Sequence, residues 1–449
     1  MNPGKRVLLF VILATGIYTA VSVAAIFSGR NTGIFSNVNL TADVFKLPAK
    51  KTTETVNGVT DSLLPAAVKT SNFLLYTHAG LITNFNADTT IPALAGFVQK
   101  LNALKSGKKI KIRIGYFGDS MIEGDLFTQT LRKLLQQQFG GSGVGYMPIT
   151  SLVSQIRQSA TSYASDGWQD DNFKTGSDGK LFVSGHLFRG NGDWVQMIDK
   201  STTDTNILLE KSLLCGFAAQ PVPVTVNNIT VPVSAPGVFN RIPLANDAQH
   251  QVKLSVADNK LPIYGISFES ASGIFVDNFS FRGISGVELD KIDTSLLNTL
   301  NNAGPYYDLL VFQYGVNVLF RPADVNFQWY GKKFMPVIKK MKQHFPNTDI
   351  VVVGTGDRAF SYNGTWQSAT GIDSLIKIQA GIAAASGCSF YNLYQSMGGK
   401  NTIVQWATAT PSLANKDYVH PNIRGAEILG TRFYDALMKD YNKYKPTTK

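Results

Sequence analysis

Cysteine and histidine are scarce in this chain. Its 449 residues include only Cys215 and Cys388, together with five histidines. Two cysteines are too few for a disulfide scaffold, and they lack the short ligand spacing of a metal site. We therefore expect both to be buried free thiols.

Charged residues are also sparse, at 16% of the chain, whereas hydrophobic residues make up 44%. This composition excludes a disordered chain. The net charge of +11 indicates an anionic neighbour such as a lipid surface, an acidic glycan or nucleic acid.

The densest basic run, Lys105 to Arg113, has no interleaved aromatic residues and no accompanying nucleic-acid motif. It favours a solvated face or a strand flank, and we expect no nucleic-acid partner.

An uncharged apolar run from Val7 to Phe27 follows Lys5 and Arg6. Its length suits a membrane-spanning helix, which needs roughly 20 residues, better than the apolar region of a signal peptide. This predicts a signal anchor within residues 1–30, with the rest of the chain exported to the periplasm or cell exterior. The alternative is a signal peptide that is cleaved near Ala25.

The remaining chain divides by its periodicity. Residues 31–90 have weak periodicity, typical of a stalk or lead-in. Residues 91–150 and 269–449 alternate strand-like and helix-like segments, which predicts a parallel sheet covered by helices on both faces. Residues 151–268 carry short β-prone runs between turn residues, which predicts an all-β sandwich inserted into the α/β domain.

A candidate nucleophile, Ser120, follows the predicted strand Lys111–Phe117 in Gly118-Asp119-Ser120. A predicted helix follows, with Asp125 as its N-cap and its apolar face running from Phe127 to Phe139. A serine at such a turn is where an α/β sheet presents a nucleophile. The tripeptide alone also occurs in ordinary turns.

A serine nucleophile needs a base, and His420 is the histidine that lies in a loop before the final predicted helix. Asp417, three residues earlier, is spaced to orient the imidazole. Asn317 follows the predicted strand Asp308–Tyr314 and offers a side-chain amide to an oxyanion. A glycine turn, Arg282 to Gly286, offers a backbone N–H. Alternatively, the glycine turns only end their strands, and His420 is a surface residue without a catalytic role.

In this order, the Ser, Gly, Asn and Asp-x-x-His blocks resemble the SGNH/GDSL hydrolase family. The resemblance covers Lys109–Phe139 and Ile274–Leu437. It implies a three-layer α/β/α, flavodoxin-like fold and a catalytic triad of Ser120, Asp417 and His420. It also implies an oxyanion hole formed by Ser120, Gly286 and Asn317. Val318 and Met121 depart from the commonest form of the family, which argues against a typical lipase-like member.

Within the family, the segments around Ser120, Gly356-Asp357-Arg358 and Met397-Gly398-Gly399 look most similar to bacterial peptidoglycan O-acetylesterases. Those esterases also carry an inserted β-sandwich that resembles a carbohydrate-binding module. By this resemblance Asp357 and Arg358 contact substrate, with a structural ion pair as the alternative. The resemblance implies no metal and no organic cofactor.

These features together predict a membrane-anchored serine esterase that removes O-acetyl groups from a cell-wall or envelope polysaccharide. One alternative is a glycan O-acetyltransferase that uses the same triad beside a membrane acyl-donor protein. Another is a glycan-binding envelope protein without catalysis, although none of the motif blocks is broken.

Overall fold

The computed structural model describes residues 73–85, 88–302 and 306–444, together with residues 13, 15 and 16. The chain divides into two units, residues 1–58 and 59–449, and every element below belongs to the second. The predicted signal anchor and most of the lead-in lie outside the described residues, so both stay predictions. Within the described ranges, no helix has the length and apolar character to span a membrane.

The α-helices within the described ranges are α1 (Ala95–Lys105), α2 (Thr128–Phe139), α3 (Thr294–Asn302), α4 (Gln328–His344), α5 (Ile372–Ala385), α6 (Leu393–Met397), α7 (Thr402–Thr408) and α8 (Ile423–Tyr441). The strands are β1 (Ile82–Thr83), β2 (Lys111–Gly118), β3 (Gly145–Met147), β4 (Ala160–Ala164), β5 (Gln169–Asn172), β6 (His186–Arg189), β7 (Trp194–Asp199), β8 (Leu209–Cys215), β9 (Val222–Val226), β10 (Ile229–Val233), β11 (Asn240–Asp247), β12 (Gln251–Val256), β13 (Ile263–Glu269), β14 (Gly273–Ser280), β15 (Leu309–Gln313), β16 (Asp349–Val353), β17 (Ala359–Tyr362), β18 (Thr365–Ser368) and β19 (Ser389–Tyr391).

The central sheet has the order β1-β19-β16-β15-β2-β14, and all neighbours pair in parallel except the edge strand β1. Its strands are apolar and buried on both faces. In β15, Leu310 and Phe312 share a core with α3, α4 and α5. Leu309 and Val311 share the opposite core with α1, α2 and α8. The predicted parallel sheet with helices on both faces is therefore confirmed.

Two antiparallel sheets are formed by the strands between Gly145 and Glu269, with the orders β10-β9-β12-β7-β4 and β11-β8-β13-β6-β5. They share one apolar core. The strand β3 pairs with β13. The antiparallel sheets therefore include a strand that precedes residue 151, the predicted first residue of the insertion. Local periodicity does not predict β3, because its backbone hydrogen bonds go to β13, a strand that is distant in the sequence.

A buried ion cluster joins the antiparallel sheets to the central sheet. Glu269, at the end of β13, is fully buried and pairs with Arg113 in β2. Its oxygens also lie 3.0 Å from Lys111 Nζ and 3.0 Å from Arg241 Nη2. Burial alone raises the pKa of Glu269, but Arg113, Arg241 and Lys111 outweigh it and hold that pKa far below its ordinary value. The end of the basic run therefore lies at the start of β2, in line with the predicted strand flank, and Arg113 is buried in an internal ion pair rather than on a solvated face.

Some local predictions were wrong. The helix α2 begins at Thr128, with no side-chain cap. Asp125 does not cap it, because its carboxylate forms a buried double hydrogen bond with Arg132 at 2.6 and 2.9 Å. The predicted lead-in also contributes to the sheet, since β1 pairs with β19. Both cysteines are free and buried, as predicted.

Candidate active site

Ser120 lies directly beyond the carboxyl end of β2. Gly118 ends the strand where there is no room for a side chain, because a Cβ atom would lie 2.8 Å from the Ile122 side chain. The next residue, Asp119, accepts a hydrogen bond from the Met121 N–H at 2.9 Å. This tight turn leaves Ser120 only partly buried, at the edge of the sheet where its hydroxyl faces the last loop of the domain.

A continuous hydrogen-bonded chain joins the three residues of the predicted triad. Ser120 Oγ lies 2.7 Å from His420 Nε2. His420 Nδ1 lies 2.7 Å from Asp417 Oδ2. With the Nδ1 proton donated to Asp417, Nε2 is left to accept the hydroxyl proton of Ser120. The tertiary fold therefore brings together residues that are 300 positions apart in the sequence.

The Asp417 carboxylate is held by its own turn. Its Oδ1 accepts hydrogen bonds from the N–H groups of Val419 and His420 at 2.9 and 3.0 Å. Partial burial raises the pKa of Asp417, but the hydrogen bonds from His420 and Val419 outweigh this effect and lower it to about 2. Tyr418, inside the turn, adopts a positive φ of 55°. Asp417 is therefore ionised at neutral pH and can stabilise a positively charged imidazole.

Asn317 and the glycine turn after β14 are held together by a hydrogen bond. The Asn317 amide donates to the Ile284 carbonyl oxygen at 2.9 Å, which joins the loop after β15 to the loop after β14. An amide has two N–H donors; the second can serve a ligand or Asp119, whose carboxylate the Asn317 amide also stabilises. Gly286 adopts φ 91°, and a Cβ atom there would lie 2.6 Å from the Tyr314 ring. This left-handed conformation and the lack of space require glycine at the position.

Asp119 is a member of the site that sequence reasoning missed. It is buried, and its Oδ2 has no hydrogen-bond partner among the described residues. Burial raises the pKa of Asp119 to about 7, although the Met121 N–H, His420 and the neighbouring Asn317 amide all favour its ionised form. Its place in Gly-Asp-Ser was visible in the sequence, but its burial was not.

Asp357 and Arg358, the predicted substrate contacts, occupy different places. Asp357 is fully buried and accepts a hydrogen bond from the Ile403 N–H at 2.9 Å, in the first turn of α7. That position gives it a structural role. Arg358 is partly buried, donates to the Val316 carbonyl oxygen at 2.6 Å and interacts electrostatically with Asp417 and Asp119. Arg358 therefore lies near the triad and beside the Asn317 loop. The two residues do not form an ion pair with each other.

An aromatic pair beside the triad was also missed. The Trp366 ring stacks on Tyr418 with centroids 4.2 Å apart, and Trp366 is 41% exposed. The hairpin of β17 and β18 carries Trp366, and its first residue, Ala359, donates a hydrogen bond to the Tyr418 carbonyl oxygen. No sequence spacing signals this contact, because it joins residues from separate loops.

No family model matches the chain, and no curated protein matches it. A search of solved structures found a peptidoglycan O-acetylesterase with a TM-score of 0.67 and 21% identity, over 79% of this chain and 99% of that one. The chain shares the fold of that esterase. The resemblance to SGNH/GDSL hydrolases predicted from the sequence is thus confirmed at the level of the fold.

Other solved structures align far more loosely. A lipase/acylhydrolase from Enterococcus faecalis has a TM-score of 0.27 and 18% identity, covering 40% of this chain and 81% of its own. A family two carbohydrate esterase from Cellvibrio japonicus has a TM-score of 0.28 and 8% identity, covering 64% of this chain and 100% of its own. With TM-scores this low, neither structure indicates the fold or the function of this chain.

Proposed function

We propose that the chain is a serine esterase that removes O-acetyl groups from a cell-wall or envelope polysaccharide. The observation that carries the proposal is the unbroken contact from Ser120 Oγ through His420 to Asp417, at 2.7 Å for each step. The fold shared with a peptidoglycan O-acetylesterase supports the choice of ester.

The first half of the reaction forms an acyl-enzyme. Ser120 Oγ attacks the carbonyl carbon of the acetyl ester while His420 Nε2 takes the hydroxyl proton. The carbonyl oxygen becomes an oxyanion, which is stabilised by the Ser120 and Gly286 N–H groups and the remaining Asn317 N–H. When the intermediate collapses, the bond to the sugar oxygen breaks and His420 gives its proton to that oxygen. The sugar leaves as a free alcohol.

The second half returns the enzyme to its starting state. Water attacks the acetyl carbon and loses a proton to His420. The bond from the acetyl carbon to Ser120 Oγ then breaks, His420 returns the proton to Oγ, and acetic acid leaves and ionises to acetate in solution. The side chains of His420 and Asp417 are 27% and 47% exposed, so the triad is open to solvent. The fold shared with a peptidoglycan O-acetylesterase favours hydrolysis over glycan O-acetyl transfer.

The proposal is tested with the full chain and an aryl acetate. Ser120→Ala should lower kcat by several powers of ten while the circular dichroism spectrum stays unchanged. Ser361→Ala, at an exposed serine of β17, is the matched control and should keep the parent's activity. Activity of Ser120→Ala within about tenfold of the parent contradicts the proposal.

The same assay separates hydrolysis from transfer when a chito-oligosaccharide is added. The esterase predicts free acetate equal to the phenol released, with no acetylated sugar. Acetyl-sugar as the main product assigns the acyl transfer to this chain instead, with a membrane acyl-donor protein as its natural partner. A chain without either activity that still binds the sugar supports the non-catalytic alternative.

We further propose that the reaction takes place outside the cytoplasm, on an enzyme anchored by Val7–Phe27. The support is the uncharged apolar run behind Lys5 and Arg6. A reporter fused after residue 449 tests the orientation: alkaline phosphatase, which needs export, should be active, and a cytoplasmic reporter should not. Retention of the chain in the membrane fraction after alkaline washing distinguishes an anchor from a cleaved signal peptide.

A further inference from the structure

The hairpin of β17 and β18 contacts two loops of the active site at once. It begins directly after Arg358, in the segment that leaves the carboxyl end of β16. The strand β16 pairs with β15, and the loop with Asn317 leaves the carboxyl end of β15. Because these two strands are parallel neighbours, the hairpin and the Asn317 loop start side by side at the same edge of the sheet.

The first contact holds the turn that carries the base. The N–H of Ala359, in β17, donates to the Tyr418 carbonyl oxygen at 3.0 Å. The ring of Trp366, in β18, stacks on the Tyr418 ring with centroids 4.2 Å apart. Tyr418 lies between Asp417 and His420 and has a φ of 55°, which a non-glycine residue keeps only when its surroundings hold it there. Both strands of the hairpin therefore support the turn of the triad at its strained residue.

The second contact holds the loop that carries the oxyanion donor. Arg358 Nη1 donates to the carbonyl oxygen of Val316, the residue before Asn317, at 2.6 Å. Tyr362, at the end of β17, donates its hydroxyl proton to the Pro322 carbonyl oxygen at 2.7 Å. The segment from Val316 to Pro322 is therefore bonded at both of its ends to the hairpin or to the residue before it.

The hairpin is itself fixed on its other side. The Ser368 N–H donates to Asn401 Oδ1 at 2.9 Å, and the Asn401 N–H donates to Ser368 Oγ at 2.6 Å. Asp357, next to Arg358, accepts the hydrogen bond from the Ile403 N–H in the first turn of α7. These bonds attach both ends of the hairpin to α7, so it can act as a rigid support for the two loops.

The charge of Arg358 lies between carboxylates of the site. Its guanidinium lies over the Phe360 ring, 4.8 Å from the centroid. Partial burial lowers the pKa of Arg358, whereas the carboxylates of Asp417 and Asp119 act in the opposite direction. A positive charge near Asp417 favours the ionised carboxylate that orients His420.

We infer that the hairpin of β17 and β18, with Arg358 at its base, positions the Asp417–His420 turn and the Asn317 loop relative to each other. Arg358 is then a positioning residue, which acts through Val316 and through its charge and does not contact the sugar. The inference rests on the proposed function for the reaction that this geometry serves. Acyl transfer needs the base and the oxyanion donor held in place to a fraction of an ångström.

An aryl acetate separates positioning from substrate contact, because it has no sugar for an arginine to touch. Arg358→Met in the full chain should lower kcat for this ester about 10- to 100-fold with little change in KM. Arg358→Lys keeps the charge and an N–H donor, so it should recover most of the lost kcat. The matched control is Arg424→Met, at an exposed arginine of α8, which should keep the parent's kcat.

The two roles of Arg358 give opposite kinetic results. If Arg358→Met keeps the parent's kcat and KM on the aryl acetate and raises KM only on an acetylated glycan, Arg358 contacts substrate and the inference is overturned. Urea unfolding of each variant shows whether a loss of kcat reflects a loss of the folded state.

Amide hydrogen exchange tests the two loops without any reaction. The N–H groups of Val419 and His420 are hydrogen-bonded to Asp417 within the turn, and the Val318 N–H is hydrogen-bonded within the Asn317 loop at 2.8 Å. Their exchange rates report how often each loop opens. Arg358→Met should speed the exchange of all three amides while the amides of the antiparallel sheets exchange as in the parent.

A second variant removes only the aromatic contact. Trp366 is 41% exposed, so its replacement leaves no buried cavity. Trp366→Ala should speed exchange at Val419 and His420 about two- to tenfold, the contribution of one aromatic pair, and leave Val318 unchanged. Phe217→Ala, at an aromatic of the antiparallel unit that is 57% exposed, should change none of these rates.

The exchange experiment also separates this inference from the proposed function. Parent-like exchange in both Arg358→Met and Trp366→Ala overturns the positioning role, whatever the activity of the parent. A parent without esterase activity, whose two loops nevertheless open faster in these variants, contradicts the esterase and supports the positioning role.

Discussion

The Asn317 side-chain amide donates a hydrogen bond to the Ile284 carbonyl oxygen at 2.9 Å. This bond joins the loops that follow β14 and β15, the two strands on either side of β2, and its residues are 33 positions apart in the sequence. It fixes the orientation of the amide, so the second N–H has a defined direction before any substrate binds. A donor that is oriented in advance costs no reorganisation during the reaction.

Replacing Asn317 by alanine should lower kcat about 10²- to 10³-fold with a small change in KM, because the donor acts mainly on the oxyanion. Steady-state kinetics with an aryl acetate measures this effect. The matched control is Asn298→Ala, at an exposed position of α3, which should behave like the parent. Loss of kcat below tenfold excludes Asn317 from the oxyanion hole.

Alanine substitutions at Gly286 and Gly283 separate the effect of steric crowding from the effect of backbone strain. Both have positive φ, at 91° and 78°. A Cβ atom at Gly286 meets the Tyr314 and Phe334 rings below 3.0 Å, whereas at Gly283 it meets only the flexible end of Lys174. Gly286→Ala should therefore unfold at a lower urea concentration and lose esterase activity. Gly283→Ala should lose only the roughly 1 kcal/mol of unfolding free energy that backbone strain costs. Equal destabilisation of the two variants contradicts the crowding at Gly286.

Asp119 should make stability depend on pH. Burial raises its pKa to about 7 in the folded protein, against about 3.9 in the unfolded chain. The stabilisation of the protonated form is complete below the unfolded value and is lost as pH rises through about 7. Between pH 5 and pH 8.5, the parent should therefore lose about 2 to 3 kcal/mol more free energy of unfolding than Asp119→Asn.

Urea unfolding at the two pH values measures this difference. Asp435→Asn, at an exposed carboxylate of α8, should retain the parent's pH dependence. Parallel curves for the parent and Asp119→Asn would show that Asp119 does not titrate in this range.

The Glu269 cluster should contribute strongly to stability. Glu269→Gln leaves Arg113 buried without its counter-charge, and breaking a buried pair in this way costs about 3 to 5 kcal/mol. Glu210 contacts the same Arg241 and Lys111 side chains but is itself 33% exposed, so Glu210→Gln should cost at most about 1 kcal/mol. Chemical unfolding compares the two variants, and similar losses would contradict the importance of burial.

The sequence by itself determined the elements and the chemical types at the site. The strand predicted as Asp308–Tyr314 was found within one residue of the observed bounds, Leu309–Gln313, because a strand buried on both faces is apolar throughout. The Asp417 turn was also readable, since a carboxylate three residues before a histidine needs only a local turn to reach it. The Ser120, Asn317 and glycine blocks were visible because each follows a strand of the same sheet.

Only the tertiary structure decided which of these groups meet and how they are solvated. The partners of Asp125 and Arg113 depend on packing between distant segments, so the sequence predicted a helix cap at Asp125, and a solvated face or strand flank at Arg113, but not the buried ion pairs. Asp357 and Arg358 are adjacent in sequence, yet one bonds to the first turn of α7 and the other lies near the triad. The raised pKa of Asp119 likewise arises from burial, which depends on the packing of distant segments. These are properties of the space between elements, and a linear pattern does not encode that space directly.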